Sequence, residues 1–146
     1  MSNVEETVNK IYSWLEEMEL KGIIKVGGEN RLIVNFGIED HVFQVHVLVT
    51  EKWINAKALI AYVADMPRSE VKKVYRLCLN ANFELNEVTY STDPDQGNVW
   101  VEVDMPCGSS FENFKVEFGS IPFGIHHFVT EIVPKIDFSV RDTSYV

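Results

Sequence analysis

Apolar positions in this chain recur first at helical spacing, then at alternating spacing, and then repeat that sequence. Val4, Val8, Ile11, Tyr12, Leu15 and Met18 fall three or four residues apart, while Glu5, Glu16, Glu17 and Glu19 lie off that stripe. This is one apolar face on a surface helix, expected over residues 3–21. Asn3 and Glu6 have the spacing of a capping box, and Gly22 is placed to stop the helix. Four strands are expected next, at Ile23–Val26, Arg31–Gly37, Val42–Glu51 and Trp53–Val63, with a turn over residues 27–30. In the third, Phe43, Val45, Val47 and Val49 alternate with Gln44, His46 and Leu48. In the fourth, Ile54, Ala56, Ala58, Ile60 and Tyr62 alternate with Trp53, Asn55, Lys57 and Leu59. Short polar connections between such runs favour antiparallel hairpins.

A second helix is expected from Arg68 to Phe83, opened by Pro67 and Ser69, with Val71, Val74, Tyr75, Cys78 and Asn82 on its stripe. Two strands follow, Glu87–Thr92 and Asn98–Asp104, flanking Asp93-Pro94-Asp95-Gln96-Gly97-Asn98, a strong turn signal. Val99, Val101 and Val103 form one face of the second strand, and Trp100, Glu102 and Asp104 the other. The last third supports two patterns. Phe111, Phe114, Phe118, Ile121, Ile125, Phe128 and Ile132 make a helical seam, yet Phe114, Val116 and Phe118 also alternate with Lys115 and Glu117. Two helical pieces are favoured, capped by Ser109 or Ser110 and broken near residues 119–123 by Gly119, Pro122 and Gly124. Residues 136–146 have the look of a frayed tail. The fold class is therefore α+β: helices packed on a curved antiparallel sheet in the order α-ββββ-α-ββ-α.

Composition narrows the function classes. The chain has 146 residues, of which 46% are hydrophobic, enough for a single domain (1–146) with its own core. The net charge of −9, with basic residues scattered, disfavours nucleic acid and anionic membrane surfaces as partners. The opening Met-Ser-Asn-Val-Glu-Glu has no apolar stretch of signal-peptide type, and no run is long enough to span a bilayer. Cys78 and Cys107 make no disulfide framework, so a cytoplasmic setting with reduced thiols is expected.

The block from Met66 to Pro106 carries a resemblance. It runs Met-Pro, a helix ending Leu79-Asn80-Ala81-Asn82-Phe83, strand, turn, strand, and a second Met-Pro. Together with the element order over nearly the whole chain, it resembles the secretion-chaperone-like fold shared by type III secretion chaperones and the YbjN-like family. The resemblance implies helices on a curved sheet and frequent homodimers. It also implies a protein client or a regulatory role, and no catalytic residues.

Candidate chemistry is sparse. Cys107, just before a helix, has the placement of an activated thiol, though no histidine is paired with it in sequence. His126 and His127 are adjacent and so point apart on a helix, while His41 and His46 lie on or beside a strand; none has metal-ligand spacing. Glu102 and Asp104 share a strand face, as paired acid and base carboxylates do, and as solvated faces do more often. Gly27 and Gly28 lack the lysine and helix of a phosphate loop. The expected function is thus a non-enzymatic protein-binding or chaperone-like regulatory module with no cofactor and no metal. It acts as a homodimer and holds a partner segment on its sheet face or a Phe-lined groove. Trp53, Trp100, Phe114 and Phe118 are the expected contact residues. The rival reading is a small-molecule binder or enzyme with a pocket between sheet and helices, using Cys107, a histidine or the Glu102/Asp104 pair.

Overall fold

The structure is a computed structural model that describes residues 3–27 and 30–143. Helix α1 (Asn3–Glu17) precedes four strands, β1 (Ile24–Val26), β2 (Arg31–Ile38), β3 (His41–Val49) and β4 (Trp53–Ala61). After a short 3₁₀ turn come helix α2 (Arg68–Glu84), strands β5 (Thr89–Thr92) and β6 (Val99–Pro106), and helix α3 (Phe111–His127). The strands form one six-stranded antiparallel sheet in the order β1-β2-β3-β4-β6-β5. This is the expected α+β architecture, helices packed on a curved antiparallel sheet.

The alternation along each strand decides which face the helices cover. Leu32 and Val34 of β2, Phe43, Val45 and Val47 of β3, Ala56 and Ala58 of β4, and Val101 of β6 are all fully buried. They meet Ile11 and Leu15 of α1, Val74 of α2, and Phe114, Phe118, Ile121 and Ile125 of α3, which are equally buried. Removing this much apolar surface from water is the main force holding the layers together, at about 25 cal/mol per Å².

Helix α1 stops earlier than Gly22. Glu19 takes a left-handed φ of 62°, the Leu20 N–H donates to the Leu15 carbonyl at 3.2 Å, and the Glu19 N–H donates to Glu16 at 2.9 Å. That is a Schellman stop built on a glutamate. The β2–β3 hairpin likewise turns on Glu39 and Asp40, with φ of 48° and 66°. Two positive values in a two-residue loop match the right-handed strand twist without a glycine. The turn expected at residues 27–30 has Gly28 and Glu29 outside the described residues.

The expected break near residues 119–123 does not occur. α3 runs unbroken through Gly119 and Pro122, capped by the Ser110 hydroxyl, which accepts from the Asn113 N–H at 3.1 Å. It then widens into a π-helical turn, Phe128–Ile132. Phe114, Phe118, Ile121, Ile125, Phe128 and Ile132 are 3% exposed or less, so one continuous seam is buried. Burying that seam outweighs the hydrogen bond that Pro122 cannot make.

The segment expected to fray is tied down as far as the described residues go. The β3–β4 ladder ends at Val45↔Ala58, leaving the first half of β3 without β4 beside it. There the Thr143 N–H donates to the Val42 carbonyl at 3.0 Å, and the Val42 N–H donates to the Asp142 carboxylate at 3.0 Å. Arg141 pairs with Asp65 at 2.6 Å and lies 3.7 Å over the Tyr62 ring, and Val140 is 9% exposed. Residues 144–146 lie outside the described residues.

Candidate functional site

With α1, α2 and α3 all on one side, the other face of the sheet has no helix over it. The register assembles this uncovered face from Ile24, Arg31, Ile33, Gln44, His46, Leu48, Asn55, Lys57, Leu59, Trp100, Glu102 and Asp104. One cross-strand row reads Ile33, His46, Lys57, Glu102. Residues opposite one another in such a row have Cβ atoms about 5 Å apart.

Trp100 is half-buried on this face, on β6 one strand in from the β5 edge. Lys57, on the neighbouring strand, holds its ammonium 5.4 Å from the Trp100 ring. The indole Nε1–H donates to Asp93 at 3.0 Å. Asp93 also accepts the backbone N–H groups of Gln96 at 2.6 Å, Gly97 at 3.2 Å and Asn98 at 3.2 Å. The Gln96 amide is the largest of the donors that hold the Asp93 carboxyl below the usual carboxylate range; burial, the next largest influence, opposes them, and the bonds from Trp100, Gly97 and Asn98 add to the lowering. The Asp-Pro-Asp-Gln-Gly-Asn turn is therefore a platform that fixes the edge of the indole.

Trp53 opens β4 and is 51% exposed; Ile24 and Val42 are also exposed. Phe114 and Phe118 are different. Both are 0% exposed and stack on each other with centroids 5.2 Å apart. Trp14 stacks on Phe111 and lies 5.4 Å from Phe114, and Phe36 lies 5.8 Å from Phe118. The Phe seam is core, so these two residues are not surface contacts and no Phe-lined groove opens to solvent there. The same 3-4 spacing that marks a docking seam marks a buried helix face.

Glu102, Asp104, Cys78 and Cys107 show no catalytic arrangement among the described residues. Glu102 accepts the Ser91 hydroxyl at 2.7 Å, and Asp104 accepts the Asn55 amide at 2.7 Å, so each is tied to its own neighbour. Burial raises the Cys107 thiol, with Lys10 a smaller opposing influence, and pushes Cys78 up to about 12. An activated nucleophile needs the opposite shift. His41 pairs with Asp142 at 3.4 Å, and His126 with Glu39 at 3.5 Å. Among the described residues, no three His, Cys, Asp or Glu side chains converge to hold a metal ion. No helix among them is long and apolar enough to cross a membrane.

Sequence reasoning placed Asn82 on the helix stripe but not its role. Its side-chain amide reaches the outer edge of β5, accepting the Tyr90 N–H at 2.7 Å and donating to the Tyr90 carbonyl at 2.9 Å. A polar residue on an otherwise apolar stripe was the available signal. Beside it, Leu79 and Phe83 of α2 are 68% and 94% exposed.

No family model matches this chain, and no curated protein sequence matches it. Solved structures do. YbjN from E. coli aligns with a TM-score of 0.59 at 13% identity, covering 83% of this chain and 89% of its own. The ExsC–ExsE complex aligns at 0.60 and 9% identity, covering 88% of this chain and 94% of that one. The HopA1–SchA chaperone–effector complex overlaps less well, at 0.49 and 14% identity over 84% and 96%. On the first two of these structures, the expected likeness to the secretion chaperones and the YbjN-like family is borne out at the level of fold.

Proposed function

We propose that this chain is a non-enzymatic, chaperone-like protein-binding module. It acts as a homodimer that holds a partner segment on its uncovered sheet face. The observation that carries this reading is that all three helices pack on one side, leaving a broad sheet face with Trp53 and Trp100 on it. Exposed or half-exposed tryptophans on a rigid strand are effective anchors, because they bring large contact area at little cost in rotamer freedom. The fold similarity to the ExsC–ExsE complex, a protein held with a partner, supports the same reading. Phe83 and Leu79, one turn apart on α2, leave apolar surface in water that a second copy of the chain would cover.

Native mass spectrometry of the full chain, followed by partner capture, tests both parts. A dimer is expected, and Phe83→Lys dissociates it; a wild-type monomer sinks the dimer. A partner recovered with the wild type should be lost from Trp53→Ser. A partner retained by Trp53→Ser and by Trp100→Phe moves the docking surface elsewhere. Among the described residues the Trp53 side chain makes no hydrogen bond, so its replacement tests docking without disturbing the fold.

A further inference from the structure

The uncovered face is not flat. Between β2 and the β5–β6 turn it is hollowed into a trough of about 400 Å³, within the size range of small-ligand sites. Arg31, His46 and Lys57 line one part of it, Leu59 and Trp100 form an apolar floor, and Thr143 closes one side. Two cationic side chains, Arg31 and Lys57, gathered in one hollow beside the imidazole of His46 contrast with the net charge of −9 on the whole chain. Register explains the gathering: His46 faces Lys57 directly, and Arg31, which faces Leu48, is the next outward residue along β2 from the partner of His46.

The polar groups around the hollow are unevenly satisfied. The acids at its far end are Asp93 and Asp95; both Asp93 oxygens are already taken by donors from its own turn and from Trp100. Glu102, opposite Lys57, accepts from Ser91. Among the described residues Lys57 forms no salt bridge, and its ammonium lies over Trp100 instead. The Thr143 hydroxyl is buried, in a residue 4% exposed, and among the described residues has no hydrogen-bond partner; the Gln44 side-chain oxygen is likewise buried without one among them. A buried polar atom left unpaired is costly, and its presence in a lined hollow points to a ligand that completes it.

We propose that this trough binds an organic carboxylate with an adjoining flat apolar group. The carboxylate sits among Arg31, His46 and Lys57, the Thr143 hydroxyl donates to it, and the apolar part lies on Leu59 and Trp100. Arginine and lysine together give a carboxylate directional hydrogen bonds and charge, and the indole gives the apolar part a flat surface. The same chemistry is offered by a free aromatic acid and by the carboxyl terminus of a peptide ending in an aromatic residue. The site stands on its own residues and does not depend on the docking function proposed above.

Titrating the isotope-labelled full chain by NMR tests it with four probes. These are N-acetylphenylalanine, its amide, inorganic sulfate, and a short peptide ending in phenylalanine with a free carboxyl group. The acid should shift the Trp100 indole N–H and the Thr143 amide saturably. The amide and sulfate should bind at least about tenfold more weakly, and Lys57→Met should weaken the acid by a similar factor. Binding of the acid assigns a free small molecule as a sufficient ligand, and binding of the peptide alone assigns a chain terminus. Equal affinity for acid and amide, equal affinity for sulfate, or no saturable shift with either carboxylate overturns the proposal. The comparison of acid with amide uses the wild type, so it decides the matter even if Lys57→Met fails to fold.

Discussion

Asn82 stands in for a missing strand beside Tyr90. Its amide oxygen takes the Tyr90 N–H at 2.7 Å and its amide nitrogen gives to the Tyr90 carbonyl at 2.9 Å, the pair of bonds a neighbouring strand would make. β5 is the sheet edge, and an open edge recruits other chains. Asn82→Ala removes both bonds and should lower stability by about 1–3 kcal/mol. Asn82→Asp keeps an acceptor for the N–H but loses the donor to the carbonyl, so it should also destabilise. Urea unfolding measures the first effect, and light scattering on standing shows whether the freed edge associates. An alanine variant as stable and as disperse as the wild type contradicts this role.

Two glycines of α3 should respond to alanine with opposite signs. A Cβ on Gly124 would lie 2.9 Å from Val101 Cγ2 and 3.0 Å from Val88 Cγ2, and the Gly124 carbonyl accepts the Tyr90 hydroxyl at 2.6 Å. Gly124→Ala must push β-branched core side chains aside, at a cost of about 1–3 kcal/mol. A Cβ on Gly119 meets nothing within 4 Å. Gly119→Ala should stabilise by up to about 1 kcal/mol, the difference in helix propensity. Thermal unfolding of the two variants side by side gives the contrast, and a shared sign would refute it.

Stability should depend on pH through two groups acting in opposite directions. Burial first, then Arg31 and Lys57, hold His46 down from 6.5 to about 4. Between those values the unfolded chain binds the proton and the folded one does not, so this contribution to stability is lost as pH falls from 6.5 towards 4. His46→Gln should flatten that limb of the melting curve. Burial, and next the hydrogen bond and charge of Glu87, raise Glu117 from 4.5 to about 7. There the folded state keeps the proton that the unfolded state has shed, so stability falls as pH rises from 4.5 to 7. Glu117→Gln should therefore be the more stable protein above pH 7. A Glu117→Gln variant less stable than wild type above pH 7 would overturn the assignment.

Neither thiol should behave as a nucleophile. Cys78 is buried with its pKa pushed up to about 12, and the Cys107 thiol donates to the Thr50 carbonyl at 3.3 Å. At neutral pH Cys107 should alkylate more slowly than a free cysteine, and Cys78 only at the rate of global unfolding. Rapid alkylation of Cys107 would revive the enzyme reading.

The order of elements was legible in the chain because both periodicities are clean. Val99, Val101 and Val103 against Trp100, Glu102 and Asp104 leave one strand orientation that buries the valines. The same reasoning placed Trp100 and Lys57 on outward faces. It did not place them together, because register between strands distant in sequence depends on which edges pair. Asn82 was legible as a residue on a stripe but not as an edge cap, since its partner is eight residues away across a turn.

Local pattern alone thus determined the helix-strand order, the two faces of each strand and the antiparallel hairpins, because those follow from where each side chain can point. Only tertiary structure decided the continuity of α3 through Pro122, the burial of Phe114 and Phe118, and the pinning of residues 140–143 beside β3. In each case a long-range contact outweighed a local preference. A buried aromatic seam is worth more than one lost helical hydrogen bond, and an unpaired half of a strand takes whatever backbone the chain can bring to it.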